Sequence, residues 1–179
     1  MSGGYRAAAP VCRERALSAT VQEGRSQGGR RRRSLARLAA VQALYQLELN
    51  PGLGAGGVVR EFVRHRLGRE IDGDIYGEAD AALFSEIVAG VSEDRERLDQ
   101  AIAAALSDEW PLGRLETILR VILEAAAYEI MHRPDIPPRV TLSEYVHIAD
   151  AFFAGKEPAL ANGVLHHLAN SLRGTELQT

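Results

Sequence analysis

Apolar positions recur along this chain at the three-to-four-residue spacing of one-sided helices, and the breaks between runs fall at Gly, Pro and Asn. From Ser34, a residue suited to an N-cap, the positions Leu38, Val41, Tyr45 and Leu49 form a first stripe that Asn50-Pro51-Gly52 terminates. Val58 to about Leu67, carrying Val59, Phe62, Val63 and Leu67, reads as a shorter helix ahead of a Gly- and Asp-rich turn at Gly68 to Gly77. Leu83, Phe84, Ile87, Val88 and Val91 then follow the helical rule closely. Ser92-Glu93-Asp94 either caps a second helix bearing Leu98, Ile102 and Leu106 or kinks the first. The stretch from Leu112 to Met131 is apolar round much of its circumference, which predicts a buried central helix, and Arg133-Pro134-Asp135-Ile136-Pro137-Pro138 ends it. Thr141 and Glu144 have the spacing of a capping box, with Val140 and Tyr145 placed as its hydrophobic staple, so the next helix is predicted to start at Thr141 and to bury Val146, Ala149, Phe152 and Phe153. Pro158 suits the first turn of a last helix whose stripe is Ala161, Val164, Leu165, Leu168 and Leu172.

These elements predict an all-α fold, a bundle of about six to seven helices in two packed subdomains divided near Trp110. The subdomains span residues 30–108 and 109–174, after a disordered lead over residues 1–29 that mixes Gly, Ser, Ala, Arg and Gln without period, and before a polar tail at 175–179. Composition agrees, since 46% of the 179 residues are hydrophobic and only 6% aromatic, enough apolar mass for a core without strand-forming alternation. No run approaches the roughly 18 apolar residues that span a bilayer, and the lead lacks the apolar stretch of a secretory signal, so the expectation is a cytoplasmic protein without a membrane anchor. A mitochondrial transit peptide is also Arg- and Ser-rich, but Glu14, Glu23 and the missing amphipathic pattern stand against it. The single cysteine, Cys12, leaves no internal disulfide to form.

The net charge of -3 conceals an asymmetry. Residues 1–40 hold nine Arg against Glu14 and Glu23, a balance of +7, whereas the remainder holds 12 basic and 22 acidic residues, a balance of -10. A basic arm on an acidic body suits a polyanion at one end and leaves the body available to a basic protein. The sharpest local feature is Arg30-Arg31-Arg32-Arg33 with Arg37 one turn further on, a flexible cationic arm leading onto an ordered surface and matched to phosphate. Tyr45 can stack on a base, or simply fill the stripe it shares with Leu38 and Val41. A run of four arginines can equally be no more than a solvated patch. Five histidines, at 65, 132, 147, 166 and 167, lack Cys or carboxylate partners at ligand spacing, and His166 and His167, being adjacent, point to different helix faces, so no metal and no cofactor is expected. The chain has no phosphate-cradling glycine loop and no nucleophile elbow, and its carboxylate pairs flank helix ends, so catalysis has no anchor and the protein is not expected to be an enzyme.

Two segments, Arg31 to Tyr45 reading RRRSLARLAAVQALY and Arg133 to Leu165 reading RPDIPPRVTLSEYVHIADAFFAGKEPALANGVL, resemble the NusB family of transcription antitermination factors. Tyr128-Glu129 and Asn162-Gly163-Val164-Leu165 add to the likeness in the same order. The resemblance implies an all-helical fold of two bundle subdomains that binds the boxA element of ribosomal RNA leaders. It also implies two protein partners: the ribosomal small-subunit protein acting as NusE, and the RNA polymerase antitermination complex. By position it implies RNA contacts from Arg31, Arg32, Arg33 and Arg37, from Gln42 and Tyr45 in the first helix, and from Asn162 in the last; Arg30 joins them as part of the same run. Replacing Arg31, Arg32, Arg33 and Arg37 together by Ala is expected to weaken RNA binding without unfolding the bundle. Some positions depart from the family pattern. Where Ser-x-x-Phe-Val-Asn-Gly-Val-Leu-Asp is common, this chain has Glu157, Leu160 and Ala161 before Asn162 and His166 after Leu165, while Ser143 and His147 replace the Asn and Glu often seen beside Glu144. Glu124 stands where a basic residue is frequent, with Arg120 one turn earlier as the candidate phosphate contact in its place. Two other readings stay open: an RNA-binding module associated with an rRNA methyltransferase, and a helical scaffold that binds proteins only. A homodimer is left open too.

Overall fold

The computed structural model describes the backbone of residues 11–67, 70–71, 74–75 and 78–177, and the side chains of residues 28–67, 78–174 and 176. Its elements in chain order are α1 (Val11–Leu49), α2 (Ala55–His65), a minimal antiparallel pair β1 (Glu70–Ile71) and β2 (Asp74–Ile75), α3 (Ala81–Ala105), a 3-10 turn (Leu112–Arg114), α4 (Thr117–His132), α5 (Pro138–Phe152) and α6 (Glu157–Leu177). The all-α expectation holds, with six α-helices and one two-residue strand pair among the described residues. No described helix is long and apolar enough to cross a membrane.

Helix α1 starts well ahead of the predicted cap. Residues 1–10 of the predicted lead lie outside the described residues, and from Val11 the backbone is already helical. Ser34 is therefore an interior position, and its hydroxyl donates to the carbonyl of Arg30 one turn back, the way a serine is accommodated inside a helix. The stop is where the pattern put it: Asn50 donates from Nδ2 to the Gln46 carbonyl, and Pro51 cannot continue the ladder. The buried face of α1 consists of Ala36, Arg37, Ala39, Ala40, Val41, Ala43 and Leu44, whereas Leu38 and Tyr45 are half-buried and Leu49 is exposed. The predicted stripe thus sits to one side of the true face, because small alanines, not large apolar residues, let α1 approach its neighbours closely.

Helix α3 follows the predicted pattern up to its last position: Leu83, Phe84, Ile87, Val88, Val91, Leu98 and Ile102 are all buried, and Leu106 is the half-buried C-cap just past the helix. Asp80 caps it, accepting from Leu83 N at 3.1 Å. The break at Ser92-Glu93-Asp94 is a kink within one helix, with Asp94 at φ -109° and ψ 18°. There Ser92 donates from Oγ to the Val88 carbonyl and Asp94 meets His132 Nε2 at 2.8 Å, both of which divert local groups from the ladder. Phe62 of α2 stacks on Phe84 with ring centroids 5.4 Å apart.

Helix α4 is the pivot of the packing. Leu119, Val121, Ile122, Leu123, Ala125, Ala126, Ala127 and Ile130 are buried all round it, and it packs against α1, α3, α5 and α6. The core is continuous across residue 108 as a result. Each fully buried Ile or Leu there contributes about 1.5–3 kcal/mol. Gly90 of α3 makes the contact with α4 possible, since a Cβ at that position would lie 2.1 Å from Cε2 of Tyr128.

Helix α5 begins earlier than predicted. Pro138 occupies its first turn, a position where proline forfeits no hydrogen bond, and no side chain caps the helix. The Thr141–Glu144 capping box does not form: Thr141 is buried inside the helix, and Val140, the supposed staple residue, is exposed while Tyr145 is buried. In α6, Pro158 lies in the first turn as expected, and Arg173, non-helical at φ -141° and ψ 37°, marks the end of the regular stretch. Its guanidinium donates to the carbonyls of Arg133, Pro134 and Ile136, tying α6 to the turn between α4 and α5.

Candidate nucleic-acid interface

Four consecutive arginines on a helix cannot form one patch, because each residue turns the direction of its side chain by about 100°. Arg30 and Arg33, three apart, face the same side and line a cavity of about 480 Å³ with Asp135, Ile136 and Pro137 of the turn and with Arg139, Val140, Ser143 and Glu144 of α5. Arg32 faces α3 instead: its Nε donates to the Glu78 carbonyl at 2.9 Å, and its own carbonyl accepts from Asp80 N at 3.0 Å. Arg31 is exposed. The four residues are thus a turn of α1, not the flexible arm read from the pattern.

Arg37 lies on the same meridian as Arg30 and Arg33, seven and four residues on, but its side chain is only 2% exposed. Its Nε and Nη2 donate to the two carboxylate oxygens of Glu129 on α4 at 2.8 and 3.0 Å, and Nη1 lies 3.5 Å from Glu144 Oε2 on α5. Tyr145 donates its hydroxyl to Glu129 Oε1 at 2.8 Å, and Thr141 Oγ1 lies 3.5 Å from Oε2. Burial disfavours the Arg37 cation, but the hydrogen bond and charge of Glu129 outweigh it, so the pKa rises above the ordinary arginine value. Burial, then the Glu129 charge, pushes the Tyr145 hydroxyl well above its usual range. Arg37 is thereby removed from the surface cations: it pins α1 to α4 and α5 and forms the floor of the cavity that Arg30 and Arg33 line. This also corrects the expectation for the four-arginine replacement, since a variant that includes Arg37 strands Glu129 in the core.

The other predicted contacts are dispersed. Gln42 and Tyr45 are half-buried further along α1, and neither lines the cavity beside Arg30 and Arg33. Arg120 is engaged by protein carboxylates, its Nη2 lying 2.5 Å from Asp99 Oδ2 and its Nε 2.9 Å from Glu124 Oε1, and Glu124 itself is fully buried. Neither residue of that pair lines the cavity of Arg30 and Arg33. Asn162 is exposed on α6 and lines a second cavity of about 500 Å³, with Arg139, Leu142, Ser143, Val146, His147, Asp150 and His166. Arg139 and Ser143 line both cavities, so the two are halves of one groove running from the Arg30–Arg33 turn across α5 to α6.

Arg139 was not singled out from the sequence, although it connects the two halves; a lone arginine after Pro137-Pro138 carries no motif. In the near half Arg30, Arg33 and Arg139 are exposed. The two acids beside them are already engaged: Glu144 faces Arg37, and Asp135 is held by Arg133, whose hydrogen bond and charge bring its pKa down to about 2. The near half therefore presents a net cationic surface next to the exposed Pro137 and Val140, a combination suited to a sugar–phosphate backbone. No group of three or more His, Cys, Asp or Glu among the described residues is arranged to hold a metal ion.

Comparison with known proteins identifies the family and the fold. The model of the NusB family matches residues 34–170. Transcription antitermination protein NusB of Sinorhizobium medicae is 50% identical over 144 residues, 80% of this chain and 89% of its own length. The protein of the same name from Rhizobium johnstonii is 53% identical over 142 residues, 79% and 88% of the two chains. Among solved structures, NusB of T. maritima superposes with a TM-score of 0.65 at 27% identity, covering 84% of this chain and 97% of that one. A structure of the antitermination factors NusB and NusE in complex with dsRNA shares the fold, with a TM-score of 0.63 at 21% identity over 77% of this chain and 96% of that one. The six-helix bundle with α4 at its centre, the family match over residues 34–170 and the identity of about half with full-length relatives place the chain in the NusB family.

Proposed function

We propose that this protein is an RNA-binding transcription antitermination factor of the bacterial cytoplasm that acts by binding, not by catalysis, holding the boxA element of ribosomal RNA leaders together with the ribosomal protein that serves as NusE. The observation that carries this reading is the cationic near half of the groove, where Arg30 and Arg33 of α1 and Arg139 of α5 line one cavity beside the buried Arg37–Glu129 pair, which joins α1 to α4 and is met from α5 by Glu144 and Tyr145. The names of the NusB relatives point the same way. Arg31 and Asn162 extend the proposed contacts at either end. Sequence-specific readout would come from bases splayed over the half-buried aromatic and amide groups of α1, and the phosphates from the arginines.

Binding to a boxA RNA and to a scrambled control, each with and without NusE, tests the reading: preference for boxA that grows with the partner supports it, and equal weak binding throughout sinks it. A second measurement addresses the groove. Changing Arg30, Arg33 and Arg139 together to Ala removes three exposed cations, and each phosphate no longer neutralised should lower the log–log salt slope by about 0.7, hence about 2 in total. The variant should keep its Tm within about 5 °C, because each exposed substitution away from packed features changes stability by less than about 0.5 kcal/mol. An unchanged salt slope would place the phosphates elsewhere.

A further inference from the structure

The far half of the groove carries two imidazoles that the RNA reading above does not use. His147 of α5 and His166 of α6 are both exposed and both line the cavity that holds Asn162. His147 lies one turn beyond Ser143 and His166 one turn beyond Asn162, so each sits directly past a groove residue on its own helix. The charged groups that share this cavity are Arg139 and Asp150, both on α5, and they cancel. The near half adds Arg30 and Arg33 from α1, with Arg37 matched by Glu129 and Glu144, and Asp135 by Arg133. Among the described residues, none from α3 or α4 lines either half. The near half is thus cationic wherever arginine is charged, while the far half is formally neutral with both imidazoles neutral and carries two positive charges with both protonated.

We propose that His147 and His166 make the far half of the groove a proton-dependent extension of the RNA site, so that the strand is gripped past Arg139 in mildly acidic conditions and by the near half alone in alkaline ones. The proposal rests on the RNA-binding reading and deepens it. An imidazole changes its charge within the range pH 5–8, and a phosphate beside it favours the protonated form. By linkage, protonation then favours the phosphate to the same extent, so RNA binding takes up protons. The other histidines lie outside the groove: His132 is paired with Asp94 on the α3–α4 side, His65 is on α2, and His167, although adjacent to His166, does not line the cavity.

The test is the affinity of the full chain for a short single-stranded boxA RNA at pH 6, 7 and 8 and constant ionic strength, with the salt dependence taken at both extremes. We expect affinity to be roughly tenfold higher at pH 6 than at pH 8, and the salt slope to be steeper at pH 6 by about 1.4, the value for two added phosphate contacts. The double variant His147→Gln with His166→Gln should lose most of both differences, while His167→Gln should keep them. A wild-type affinity that binds salt-dependently but does not change with pH overturns the proposal and leaves the RNA site standing. A double variant that retains the full pH response overturns it too. Absence of RNA binding at every pH removes the RNA reading itself, and this extension with it.

Discussion

Glu129→Ala is expected to lower the unfolding free energy by about 3–5 kcal/mol, a loss that urea unfolding monitored by far-UV circular dichroism measures directly. The carboxylate is fully buried on α4 and receives Arg37 from α1 bidentately and the Tyr145 hydroxyl from α5. Removing it leaves a guanidinium in the core with Glu144 at 3.5 Å as its remaining partner, and an unsatisfied phenol beside it. The cost is the desolvation of groups left behind more than the strength of the bonds removed. For that reason the double variant Arg37→Met with Glu129→Leu should recover much of the loss, because apolar residues of similar volume need no partner. A single-variant loss below about 1 kcal/mol would mean that water reaches the site and that the pair does not hold the three helices together.

A second buried carboxylate on the same helix should respond in the opposite sense. Glu124 is as inaccessible as Glu129, but only Oε1 is satisfied, by Arg120 at 2.9 Å; Oε2 has no hydrogen-bond partner, and the nearest cation, Arg95, is 3.7 Å away and also paired with Glu48. Burial, opposed by the Arg95 charge, raises its pKa from 4.5 to about 7. With the folded value above the unfolded one, the stabilising contribution is fully present below about pH 4.5 and is lost as pH rises through 7. Glu124→Gln carries no charge to bury, so its stability relative to wild type should improve by about 3 kcal/mol between pH 4.5 and pH 8, from a shift of about 2.5 at 1.36 kcal/mol per unit. Parallel stability curves for the two proteins over that range would mean that Glu124 is ionised throughout. The two glutamates, five residues apart, thus separate a satisfied buried charge from an unsatisfied one.

Much of the fold could be read from the chain, and the exceptions have two causes. Helix α3 was legible because its buried face is made of large apolar residues at regular spacing, and the kink at Asp94 because Ser, Glu and Asp compete locally with the helical ladder. The buried face of α1 was misjudged because alanines fill it, and Ala is uninformative about burial. Ser34 and the Thr141–Glu144 pair carry valid capping signatures, but the rest of the fold claims them: the helix continues back past Ser34, while Glu129, 12 residues from Thr141, and Arg37, 107 residues from Glu144, occupy the pair. The same limit applies to the site. Residue type marked the arginine run as a polyanion contact, yet nothing local distinguishes Arg37, which faces a carboxylate on α4, from Arg30 and Arg33, which face a groove. Arg139, solitary in the sequence, gains its place only when α5 is laid beside α1. The family resemblance was legible because it rests on ordered motifs, not on tertiary partners.

Arg30, Arg33 and Arg37 lie on one meridian of α1, and the last of them is bonded to α4. The buried bond therefore sets the azimuth of the exposed cations. A side chain exchanged among residues 34–36 leaves that azimuth unchanged, but one residue inserted or deleted there turns Arg30 and Arg33 by about 100°, away from Arg139, while every amino acid of the groove remains present. Four inserted residues bring them back to within about 40°. The groove therefore depends on the length of the interval between the two exposed arginines and the buried one far more than on its composition, a dependence on phase that residue types alone do not register.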